Sequence, residues 1–103
     1  MNIRLNDGSI RTTAGFAAHL SARLSAALDR FADRVDDVIV SIRDVNGQRH
    51  GPADHRCVIA ATVRGVGPVR VEHRADSFYG ATDHAIGKLK RAVAHRVDRT
   101  RKK

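Results

Sequence analysis

The sequence predicts an α+β fold, a two-layer sandwich of order β-α-β-β-β-α, with a four-stranded sheet and two helices on one face. Three observations predict it. Apolar residues recur at helical spacing in two stretches, one early and one at the carboxyl end. Between them, apolar and polar residues alternate with a period of two in three short runs. The links between those runs are rich in turn residues, as in an antiparallel meander. A chain of 103 residues suits one such domain. The expected division is a single domain over residues 1–98 and a basic tail over residues 99–103.

The first strand is short, with Ile3 and Leu5 alternating, and Asn6-Asp7-Gly8 ends it in turn chemistry. Thr12 or Thr13 supplies a hydroxyl for a helix N-cap. Phe16, Leu20, Leu24, Ala27, Leu28 and Phe31 then form an apolar stripe. On that helix His19, Arg23, Arg30 and Arg34 fall on one flank, while Ser21, Ser25, Asp29 and Asp33 fall on the other. The second strand turns Val38, Val40 and Ile42 to one side. Residues 44–54 (DVNGQRHGPAD) form the longest turn-rich stretch. The third strand turns Cys57, Ile59, Ala61 and Val63 inward, and the fourth Val69, Val71 and His73.

Residues 76–103 hold the strongest pattern. Phe78, Ile86, Leu89, Val93 and Val97 make one stripe of a helix. His84, Lys88, Arg91, His95, Arg99 and Lys102 make another, three or four positions apart. A sequence serving helix stability alone would interleave acids at those offsets. Here Asp83 and Asp98 lie off the row. Gly80 and Gly87 each cost roughly 1 kcal/mol in a helix interior. They suit either a close approach of a sugar–phosphate chain or an unconstrained surface.

Lysine plus arginine total 19 against 11 acidic residues, a formal net charge of +8. A domain this basic, with its cations in rows, is suited to a polyanion, nucleic acid before membrane. No stretch has the roughly 20 apolar residues of a membrane span, and no signal-peptide pattern opens the chain. One cysteine allows no internal disulfide and fits a cytoplasmic setting.

Catalysis finds little support. The six histidines show no zinc-type spacing, and His84 and His95 stand about three turns apart. Cys57 lies on an inward strand face, where a thiol acts as a small apolar residue. No glycine-rich loop opens a helix after a strand. The expectation is a protein that is not an enzyme, with no metal, no cofactor, no small-molecule substrate and no membrane partner. Aromatics are 4% of the chain, few for a single-strand binder that stacks bases, so contacts to a folded RNA backbone fit better. A competing reading is a protein–protein module on the outward sheet face, where Val58 and Ala60 lie among arginines; it allows weak homo-oligomers.

Three segments carry a resemblance: MNIRL at residues 1–5, RVDDVIVSI at residues 34–42, and above all DSFYGATDHAIGKLKR at residues 76–91. With the order of elements, they make the chain similar to the ribosome hibernation-promoting factor and ribosome-associated inhibitor family, also called sigma-54 modulation proteins. Tyr79, Ala81, Lys88, Leu89 and Arg91 stand in the matching places. The segment DHRC at residues 54–57, after a longer loop, looks like a divergent branch. The resemblance implies a fold akin to double-stranded-RNA-binding domains. It also implies binding to rRNA in the tRNA and mRNA channel of the small ribosomal subunit, as a hibernation factor that blocks translation under stress. Lys88 and Arg91 are the contacts carried over from it. The sequence as given lacks the C-terminal extension with which long members pair ribosomes, and whether ribosomes are paired or kept as inactive monomers stays open.

Overall fold

The structure, a computed structural model, describes residues 1–6, 13–44 and 55–101. Thr12, Lys102 and nearly all of the long loop lie outside the described residues. The elements are β1 (Asn2–Asn6), α1 (Ala14–Ala27), β2 (Val35–Asp44), β3 (His55–Val63), β4 (Gly67–Ala75) and α2 (Phe78–Arg101). The sheet runs β1-β2-β3-β4. β2, β3 and β4 form the antiparallel meander. β1 is parallel to β2, pairing Ile3 with Val38 and Leu5 with Val40. Parallel neighbours need a crossover, and α1 is that crossover.

Both helices cover one face of this mixed sheet. α2 lies across β3 and β4, and α1 packs beside α2. Phe16, Leu20, Leu24 and Leu28 join Val38, Val40, Ile42, Cys57, Ile59, Ala61 and Leu89 in one core, all nearly inaccessible to water. Ala81 and Ala85, absent from the apolar stripe expected for α2, are fully buried. Their small side chains let the helix backbone settle close to the strands.

Local chemistry sets the element ends. The Thr13 hydroxyl accepts the Phe16 N–H at 3.0 Å and caps α1. Ser77 caps α2, accepting the Gly80 N–H on its hydroxyl at 3.0 Å and the Ala81 N–H on its carbonyl at 2.9 Å. In β2 the register shifts between Val35 and Asp37. The extra residue, Asp36, lets Val35 and Val38 both face the core, which strict alternation forbids. Gly65 and Gly67, at φ 83° and 105°, make the β3–β4 turn in backbone conformations that favour glycine.

The first helix is shorter than its periodicity suggests. It stops at Ala27, and a 3-10 turn over Asp29–Phe31 follows. The tighter winding advances each residue by about 120° rather than 100°. Phe31 reaches the core from this turn, and Arg30 and Arg34 lie beyond the end of the α-helix that carries His19 and Arg23. Of the basic strip expected on this helix, His19 and Arg23 stand on α1, Arg30 on the 3-10 turn and Arg34 after it.

Candidate nucleic-acid interface

The outer surface of α2 has two flanks, each turned toward a different neighbour. One faces β4 and carries His84, Lys88, Arg91, His95 and Arg99. The other faces α1 and carries Asp83 and Lys90. Lys88 is half-buried, and its Nζ donates to the Glu72 carbonyl on β4 at 2.9 Å. The His84 ring stacks on His73 of β4, centroids 4.7 Å apart and 14° from parallel. His84 Nδ1 also lies 2.8 Å from the Gly80 carbonyl. Two residues of the row are thus held against the sheet edge, while Arg91, His95 and Arg99 are exposed. No carboxylate of the described residues forms an ion pair with any of the five.

His73 sits beneath this row. Burial, then the charge of Lys88, then His84 hold its imidazole below the ordinary value of 6.5. An unfolded chain therefore takes up that proton at higher pH than the folded one. The native advantage is complete above about pH 6.5 and is lost as pH falls through the depressed folded value. Urea unfolding midpoints measured from pH 7.5 to 5 are expected to fall, and His73→Gln is expected to flatten that fall.

The α1 side differs from the sequence-based picture. His19 Nε2 lies 3.3 Å and Arg23 Nε 3.6 Å from the same Asp83 carboxylate. These side chains meet Asp83 across the helices and do not line up with the α2 row. All three groups are more than a third exposed, so each contact adds at most about 1 kcal/mol. One carboxylate facing two basic side chains leaves part of their capacity for anions unused. A groove of about 270 Å³ follows between the helices, with Arg23, Asp83, Gly87 and Lys90 on its walls. Lys90 was absent from the expected set. Its place two turns beyond Asp83 is the sequence signal that it shares the groove.

Arg30 and Arg34 have other roles. The Arg30 guanidinium lies 5.2 Å from the centre of the Phe31 ring. Arg34 donates through Nε and Nη2 to the Arg64 carbonyl at 3.3 and 3.1 Å, fastening the β3–β4 turn. Arg34 is thus tied to the turn while its guanidinium stays partly exposed. Cys57 is fully buried, and burial pushes its thiol up to about 11 despite a hydrogen bond with Thr82. It remains protonated, as a core residue does.

The two helix glycines part company. A Cβ on Gly80 would come within 3.0 Å of the Ser77 hydroxyl that caps it. At Gly87 a Cβ would meet only Arg91 Nη1, at an ordinary 3.7 Å. Gly87→Ala is thus expected to stabilise the protein by about 1 kcal/mol, read as a rise of several degrees in Tm.

Among the described residues no cluster of three metal-ligating side chains is present, and no helix is long and apolar enough to cross a membrane. Comparison with known proteins supplies independent context. The chain resembles the N-terminal domain of Protein Y from Thermus thermophilus, with a TM-score of 0.70 and 28% identity over 87% of this chain and 92% of that one. It also resembles a ribosomal subunit interface protein from Coxiella burnetii, with a TM-score of 0.71 over 94% of this chain and 99% of that one. At 11% identity the latter likeness is one of fold. No curated protein sequence matches the chain. The profile of one family, described as sigma 54 modulation protein / S30EA ribosomal protein, matches residues 3–101. That span takes in both helices and all of the sheet but Asn2, and the chain belongs to this family.

Proposed function

We propose that this protein is a cytoplasmic, ribosome-associated factor that binds small-subunit rRNA and silences translation by occupying the tRNA and mRNA channel. The carrying observation is the α2 flank, where His84, Lys88, Arg91, His95 and Arg99 share one surface with no paired acid among the described residues. Family membership and the likeness to a Protein Y domain support the ribosome as the place where that surface acts. The row is convex, so it lies along a phosphate backbone rather than enclosing a base. His19, Arg23 and Lys90 extend the contact over the inter-helix groove. Blocking is then competitive: tRNA and mRNA are excluded because the same rRNA phosphates are covered. The activity is one of binding, with no bond made or broken.

Phosphate contacts release counterions, so affinity depends steeply on salt. With about six contacts, affinity for small subunits is expected to drop about a thousandfold between 50 and 200 mM salt. Co-sedimentation with purified small subunits at rising salt measures it. Absence of the protein from the subunit peak at low salt would refute the proposal.

A further inference from the structure

The sheet face turned away from the helices carries a second cationic surface. On it stand Arg4 of β1, Arg43 of β2, Arg56 of β3, and Arg70 and Arg74 of β4, with Asp37 and Glu72 as its acids. The strand register sets Arg43, Arg56 and Arg74 directly opposite one another across three strands. Neighbouring strands are about 4.8 Å apart, so three guanidinium stems share a row about 10 Å long. Like charges directly opposite destabilise a sheet. Glu72 is committed to Arg56, Oε2 to Nε at 2.6 Å. Arg43 and Arg70 form no hydrogen bond or ion pair among the described residues. Between them runs a shallow groove of about 190 Å³, floored by Ser41 and Val58.

We infer that this face is a second phosphate-binding surface, taking the backbone of a nucleic-acid segment other than the one on α2. The inference rests on the RNA-binding reading above and adds that the protein is gripped from both sides. Guanidinium groups match phosphate oxygens two at a time, and a row of them across strands follows a phosphate chain. Among the described residues the face has no phenylalanine, tyrosine or tryptophan, so it lacks the stacking platforms with which sheets read bases. Nor do the described residues give it the aromatic anchors of a protein-binding centre; among them its one exposed large hydrophobic residue is Ile39, 43% accessible. A polyanion supplies partners to Arg43 and Arg70, which an apolar partner would have to desolvate.

The test uses the full chain and three variants: Arg43→Gln/Arg70→Gln, Lys88→Gln/Arg91→Gln, and the four changes together. Each is titrated into small subunits and into a 20-base-pair RNA duplex at several salt concentrations. Each pair is expected to reduce the slope of log affinity against log salt by about 2, and the quadruple variant by about 4. The sheet pair is expected to lower affinity at moderate salt roughly tenfold. Its thermal stability should hold or rise, since Arg43 no longer stands opposite Arg56 and Arg70, opposite Ala60, has no partner among the described residues to lose. An unchanged slope for Arg43→Gln/Arg70→Gln overturns the inference, and if Lys88→Gln/Arg91→Gln still lowers the slope, the α2 reading stands alone. The converse pattern keeps the sheet surface and removes the α2 reading. Cross-links from the sheet face to a protein, with RNA affinity unaltered by the sheet pair, assign the face to a protein partner and also overturn it.

Discussion

Replacing Lys88 and Arg91 together by glutamate is expected to abolish co-sedimentation with small subunits at moderate salt. Arg91 is exposed midway along the cationic flank, and Lys88 is anchored beside it by the Glu72 carbonyl. The exchange deletes two phosphate contacts and sets two carboxylates against the same phosphates. With about six contacts in all, the loss is expected to exceed a hundredfold. Because Lys88 also ties α2 to β4, Lys88→Gln/Arg91→Gln serves as the milder companion. It is expected to keep the fold and to lower the salt slope by about 2. Wild-type binding by both variants would leave the α2 flank without a role in attachment.

Phe16→Ala is expected to bring the largest loss of stability. Phe16 is fully buried, and its ring meets Phe78 and Tyr79 edge-on at 5.0 and 4.9 Å. The three rings clamp the start of α1 to the start of α2, where the Thr13 and Ser77 caps also lie. Truncation removes the transfer energy of the ring and leaves a cavity between two helix ends that their caps hold in place. Such changes cost about 3–5 kcal/mol, a large part of the 5–15 kcal/mol typical of a small domain. Chemical denaturation would register it, along with a drop in Tm of more than about 10 °C. The α2 flank lies on another side of that helix, so RNA affinity measured below the transition should change far less. A loss of under 1 kcal/mol would show that the rings do not join the helices.

Much of this protein was legible as pattern. The alternation in β2, β3 and β4 gave their inward faces because side-chain direction in a strand follows parity. Leu89, Val93 and Val97 marked the buried side of α2 because helical spacing leaves few alternatives. The basic flank of α2 over His84, Lys88, Arg91, His95 and Arg99 was visible for the same reason. The end of α1 was not: Leu28 and Phe31 fit an α-helix and a 3-10 turn equally well in sequence, and the core packing of Phe31 decides between them. The fate of Arg34 followed from that choice, since the turn delivers it to the Arg64 carbonyl.

Sequence by itself determined the α+β class, the inward faces and the basic face of the last helix, since these depend on spacing within one element. Only tertiary structure decided that β1 runs parallel to β2, that Asp83 draws in His19 and Arg23, and that Arg43, Arg56 and Arg74 stand in one row. Each of these joins residues far apart in the chain. Local periodicity says where a side chain points on its own element; packing and strand register say what it meets.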